Sequence, residues 1–98
     1  MWVKIHKSYR TIVAVCDDNL LGRKFEEGIR QLDVRESFYK GEQVSKEEII
    51  ALLQREAKED STFTIVGKDS VKAALEAGLI EKNSWHKVRG VPFVLVLA

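Results

Sequence analysis

Cysteine, proline and long apolar runs are nearly missing from this chain, and each shortage closes off a class of protein. A single cysteine, Cys16, can form no intrachain disulfide and no cysteine-rich zinc cluster, so the fold needs no oxidising compartment. One proline in the whole sequence argues against extended linkers. The longest apolar stretch is the terminal FVLVLA, six residues against the ~20 that a helix needs to cross a bilayer. The opening MWVKIHKSYR has no apolar segment of the length a secretory leader requires. These shortages point to a cytoplasmic protein with no membrane partner. A large excess of one charge is also missing: 16 Lys and Arg face 15 Asp and Glu, for a net charge of +1. Proteins that hold nucleic acid without specificity usually carry a strong basic surplus. Here only a local basic face can serve.

What is present fits one small domain. The 98 residues are 45% hydrophobic and 32% charged, enough to bury one core and too apolar for disorder. The charge is unevenly spread. Residues 1–24 carry +3, residues 25–60 carry −4 and residues 61–98 carry +2. A basic surface therefore requires the two ends of the chain to meet.

Periodicity supplies the elements. Residues 2–7 alternate, with Val3 and Ile5 on one side and Trp2, Lys4 and His6 on the other. Residues 10–17 form a dense β-branched run, joined to the first strand by a short connection at Lys7-Ser8-Tyr9. Asp17 and Asp18 are placed to cap a helical turn that Gly22 ends. A strand is expected over 28–35, then a turn at Tyr39-Lys40-Gly41. Ser45 and Glu48 make a capping box for a helix over 46–58, whose apolar side is Ile49, Ile50, Leu53 and Ala57. A strand over 63–66 leads to a second helix over 69–77, burying Val71, Ala74 and Leu75 and stopped by Gly78. Strands over 85–89 and 93–97 flank a turn at Gly90-Val91-Pro92. The pattern predicts an α+β domain over residues 1–98, with a small mixed sheet of four to five strands and two main helices.

Motifs that carry chemistry are sparse. IVGKDS, residues 65–70, is strand, Gly-Lys and helix start, an arrangement that favours anions. It lacks the first glycine of a phosphate loop, so Gly67 reads as a turn residue and Lys68 as at most a secondary phosphate contact. The pairs Asp17-Asp18 and Glu26-Glu27 read as caps or solvated residues rather than a converging acid–base site. Two histidines and one cysteine are too few for a metal without carboxylate help, so no metal and no cofactor is expected. Cys16 ends an apolar strand and precedes two aspartates, which raise a thiol's pKa, so it reads as an inert buried residue. A catalytic role for Cys16 or the histidines is the weakest reading, and a non-enzymatic protein is expected.

The remaining signal is a pair of like segments, WVKIH at 2–6 and WHKVR at 85–89. Each sets an aromatic beside basic residues on alternate positions. Single-stranded RNA is held by aromatic faces that stack on bases, with Lys and Arg at the phosphates, and each stacked base contributes ~1–3 kcal/mol. The plainer reading is that the tryptophans pack over the ends of a sheet while the lysines protect edge strands from pairing. By pattern alone the plainer reading is the better supported.

The order of segments adds a resemblance. VKIH, then AVCDDNLLGRKFEEG, then FYKGEQVS before an acidic amphipathic helix, then IVGKDSVKAALEAGLI and finally GVP resembles a small archaeal family known as domain of unknown function 424. The likeness spans essentially the whole chain. It implies an archaeal, cytoplasmic origin and a loose association with translation and RNA, but no activity. Asp17, Leu21, Gly22, Tyr39, Lys40, Gly41, Gly67, Gly90 and Pro92, which carry much of it, are largely turn and cap types that define a fold more than a site. The family pattern ends GVP with a polar His-Ala-Gln, whereas here Pro92 is followed by Phe93-Val94-Leu95-Val96-Leu97. If that polar ending has a function, this chain lacks it or has replaced it with a strand.

Two functions follow as expectations. The first is an accessory protein that binds RNA or a ribonucleoprotein, the ribosome included, through Trp2, Lys4, His6, Arg10, Lys68, Trp85, Lys87 and Arg89. The second is a protein-interaction module, in which FVLVL pairs across an open sheet edge with a copy of itself or a partner, or the acidic middle meets a basic protein.

Overall fold

The computed structural model of the chain describes residues 1–97. The chain begins with strands β1 (Trp2–His6) and β2 (Ile12–Cys16), then a 3-10 turn at Asp18–Leu20. A hairpin of β3 (Lys24–Glu27) and β4 (Arg30–Asp33) follows, then a single-turn helix α1 (Glu36–Tyr39) and the two-residue strand β5 (Glu42–Gln43). The second half runs α2 (Lys46–Lys58), β6 (Thr62–Val66), α3 (Lys68–Glu76), β7 (His86–Val88) and β8 (Val91–Val96).

Six strands form one mixed sheet in the order β5-β1-β2-β6-β8-β7, and β3 and β4 form a separate two-stranded sheet. The class is α+β as expected, with more strands than the sequence pattern distinguished. β2 and β6 lie at the centre and are the parallel pair, in register from Ile12↔Thr62 to Cys16↔Val66. A parallel pair needs a long crossover, and residues 17–61 supply it. In β2, Val13, Ala14, Val15 and Cys16 are all buried, as a strand covered on both faces requires.

The two faces carry different layers. Val13, Val15, Phe63, Ile65 and Val94 pack under Ile49 and Leu53 of α2 and Val71 and Ala74 of α3. Ala14, Cys16, Val66 and Val88 pack on the opposite face with Leu20, Leu32, Val34 and Tyr39. The long insertion after β2 thus folds into a lid over the side of the sheet that the helices leave open.

The strand expected over 28–35 is present as the shorter β4, and it pairs with β3, a strand that the sequence pattern did not distinguish. Gly28 has φ 62° and sits with Ile29 between the paired Glu27 and Arg30, the glycine-first arrangement of a two-residue hairpin loop. Phe25 and Leu32 are cross-strand partners in it, so two short apolar signals belong to two strands. Near the C-terminus the turn falls at Arg89-Gly90 rather than Gly90-Val91-Pro92. Both turn residues have positive φ, 53° and 78°, and Val91 and Pro92 already belong to β8. Ala57 of α2 faces solvent, whereas Ala73 of α3 is fully buried.

The ends of the two longer helices follow local chemistry, with one exception. The Ser45–Glu48 capping box forms at both of its hydrogen bonds, each 3.2 Å. Gly78, with φ 76°, closes α3: its N–H donates to the Leu75 carbonyl and the Leu79 N–H to the Ala74 carbonyl, the pairing of a Schellman motif. The exception is the start of α3. Its free N–H groups are met by Asp17, 52 positions before Asp69 in sequence. Asp69 N–H donates to Asp17 Oδ2 at 3.1 Å, and Ser70 N–H and Oγ–H donate to Oδ1 at 2.8 and 2.6 Å. Asp17 is 4% exposed. Gly67 makes the approach possible, because a Cβ on it would collide with the Asp17 carboxylate and its φ of 106° disfavours any side chain.

Asp17→Ala is expected to lower stability in urea unfolding by about 2–3 kcal/mol, because it orphans buried donors at a helix start. Gly67→Ala is expected to destabilise the protein as well. A loss of a few tenths for both would show that the carboxylate does not anchor α3.

Candidate functional site

The structure places the eight candidate residues in separate regions. On β1, Trp2, Lys4 and His6 do point to one side of the sheet, but α1 covers that side. Lys4 Nζ donates to the Ser37 carbonyl at 2.9 Å, and His6 Nε2 is hydrogen-bonded to the Phe38 carbonyl at 2.8 Å. The His6 ring also stacks on Phe38, with centroids 4.5 Å apart and planes 18° from parallel. The Lys40 ammonium lies 5.9 Å from the centre of the Trp2 ring. Carbonyls in the last turn of a helix have no intrahelical partner, and two basic side chains of β1 supply donors to this one. All three β1 residues are half-buried in that role.

WVKIH and WHKVR do not make one surface. β7 is an edge strand, and β2, β6 and β8 lie between it and β1, a separation of about 19 Å across four strand spacings. The two tryptophans also lie on opposite faces: Trp2 packs against the cluster under α1, Trp85 against the cluster under α2 and α3. Arg10 is exposed in the loop between β1 and β2, beside a fully exposed Tyr9. That loop leads into β2 at Ile12, the partner of Thr62, so it lies about one strand length, ~17 Å, from Lys68. Arg89 occupies the β7–β8 turn, where its N–H donates to Glu27 Oε1 at 3.0 Å.

Three of the eight do converge. Lys68, Trp85 and Lys87 line a groove of about 350 Å³ between α3 and the β7–β8 hairpin. Lys68 and Lys72 are four apart on α3, which puts them one above the other on the same helix side. Lys87 stands across the strand pair from Pro92, on the sheet face that carries α3. Val71, Leu75 and Pro92 give the groove an apolar lining, with Trp85 as its one aromatic wall. No carboxylate lines it, and among the described residues none of the three lysines is in an ion pair. By contrast, the cleft beside it mixes Asp17, Asp18 and Asp69 with Lys46 and Lys72. There the N-terminal ammonium lies 2.9 Å from Asp18 and its hydrogen bond holds that carboxyl below its ordinary range.

Sequence reasoning missed Lys72, although its spacing from Lys68 on a predicted helix is a usable signal. For IVGKDS the glycine does serve the backbone, with a positive φ at the entry to α3. The N-terminus of α3 already holds the carboxylate of Asp17, and Lys68 lines the groove beside it. Tyr9, fully exposed between Ser8 and Arg10, was passed over as a loop residue.

Cys16 is fully buried, and burial first, then the Asp17 and Asp18 charges, push its thiol up to about 12. Burial likewise raises the Tyr39 phenol above its usual value. Among the described residues no three His, Cys, Asp or Glu side chains cluster as metal ligands would. No helix among them is long and apolar enough to cross a membrane. Cys16 is expected to resist a thiol-specific chromogenic reagent at pH 8 in the native protein and to react fully in denaturant. Rapid native labelling would contradict its burial.

Comparison with known proteins places this geometry in a family. The family model described as protein of unknown function (DUF424) matches residues 6–98, through the apolar C-terminal strand. A crystal structure of an uncharacterized conserved protein from Methanopyrus kandleri superposes with a TM-score of 0.84 at 25% sequence identity, covering 98% of this chain and 90% of that one. No curated protein matches the chain. The chain belongs to the DUF424 family of proteins of unknown function.

Proposed function

We propose that this protein is a non-enzymatic cytoplasmic accessory factor that binds RNA or a ribonucleoprotein, the ribosome included, through the groove between α3 and the β7–β8 hairpin. One observation carries the reading: Lys68, Lys72 and Lys87, none of them in an ion pair among the described residues, surround an apolar groove walled by Trp85. Cations beside an aromatic face match the two demands of an RNA strand, neutralised phosphates and a stacking surface. A low net charge is no obstacle, because the cations act locally.

A second reading has its own observation. β7 pairs with β8 only as far as Phe93, so the outer side of β8 beyond it has no strand among the described residues. Leu95 and Leu97 on that stretch are 57% and 71% exposed. An apolar strand with an open side supports pairing with a second copy or with a partner's extended segment. A monomer by light scattering at high protein concentration counts against self-pairing.

The RNA reading is tested by titrating labelled single-stranded RNA at several salt concentrations and following anisotropy. Three phosphate contacts predict a fall of log K with log salt of slope about −2, from ~0.7 per contact on single strands. Lys72→Gln and Lys87→Gln are each expected to flatten that slope by ~0.7. Affinity that does not change with salt would sink the reading.

A further inference from the structure

We infer that the groove accepts one unpaired nucleotide of an RNA strand, its base against Trp85 and its flanking phosphates at Lys68 and Lys72 on one wall and Lys87 on the other. This rests on the RNA reading and narrows it. The groove contains a single aromatic ring, and the other tryptophan lies on the far face of the sheet, beside Lys40 and turned away from it. A platform for several successive bases is therefore missing here. At about 350 Å³ the groove is near the small end of ligand clefts, which run ~300–1,000 Å³. That is room for one nucleotide-sized group with its apolar face down and its charge at the rim.

The cations stand on both walls rather than at one end. α3 contributes two of them, one turn apart, and β7 contributes the third from across the groove. A nucleotide inside a strand carries a phosphate on each side of its sugar, whereas a free monophosphate carries one. The two-walled arrangement favours the former. The lining includes no Asn, Gln, Ser, Thr, Asp or Glu side chain to read a base edge. Stacking without edge hydrogen bonds tolerates any base. Bases in an A-form duplex are stacked and inaccessible, so the occupant is a loop, bulge or single-stranded nucleotide.

The test uses the full chain carrying Trp2→Phe, so that Trp85 alone reports by fluorescence. It is titrated with inorganic phosphate, a nucleoside 5′-monophosphate, single-stranded oligoribonucleotides of increasing length and a blunt duplex. The inference expects Trp85 to be quenched by the oligonucleotides, with affinity rising from the mononucleotide to the trinucleotide and then levelling. Poly-A and poly-U oligomers should bind within a few-fold of each other, and the blunt duplex should bind far more weakly. Trp85→Ala should weaken the trinucleotide by about 5- to 150-fold, while Trp85→Phe retains most of the affinity. The length series on the Trp2→Phe chain decides the matter even where Trp85→Ala fails to fold.

Three results would overturn it, and they differ in what else they remove. Equal binding of duplex and single strands without Trp85 quenching means phosphate contact alone: the nucleotide groove falls and the RNA reading stands. Quenching by the monophosphate as tight as by any oligonucleotide assigns the groove to a free nucleotide, and the RNA reading falls. No binding of any of these ligands removes both.

Discussion

The carboxylate of Asp17 at the start of α3 is the contact on which the rest of the arrangement depends. It lies at the end of β2, and it receives three hydrogen bonds from the first turn of a helix that follows β6. A buried charge is tolerable only when paired or fully hydrogen-bonded, and the positive end of a helix provides both donors and field. Gly67 is the condition for it, since no side chain fits between carboxylate and helix start. Through this contact the central parallel strands and α3 become one unit. The direction in which α3 leaves the sheet then sets where Lys68 and Lys72 stand relative to β7.

The same contact limits what the molecule can bind. A helix N-terminus beside a glycine is a common place for a phosphate, but here an internal anion already occupies it. Lys68 and Lys72, on the same helix, line the neighbouring groove and form no ion pair among the described residues. On the other face of the sheet the basic residues of β1 are engaged by the carbonyls of α1. Two clusters that look alike as sequence thus do different work: WVKIH fastens the lid, and WHKVR contributes to an open groove.

Most of the architecture was legible because its signals are local. The β-branched run at 12–16, the capping box at Ser45 and Glu48, and the stop at Gly78 each act within a few residues, and each formed. The hairpin at 24–33 was half legible: β4 lies inside the strand expected over 28–35, whereas β3 has Phe25 as its one apolar residue and so shows no period of its own. The turn at Arg89-Gly90 was displaced by the weight given to Pro92, which instead takes a place in β8.

The site divides in the same way. Sequence by itself determined an α+β chain, a β-branched strand in its first part, a buried cysteine, and two aromatic–basic segments without a surplus of charge. Tertiary structure alone decided that those segments lie at opposite sides of a six-stranded sheet, that Asp17 caps a helix remote from it in sequence, and that Lys68, Lys72, Lys87 and Trp85 share one groove. The physical reason is range. Capping, turn and alternation preferences are set by neighbours in the chain. Strand order, and with it which lysines end up side by side, is set by hydrogen-bonded pairings between residues as far apart as Val13 and Phe63, or Ile65 and Val94, which no local pattern encodes.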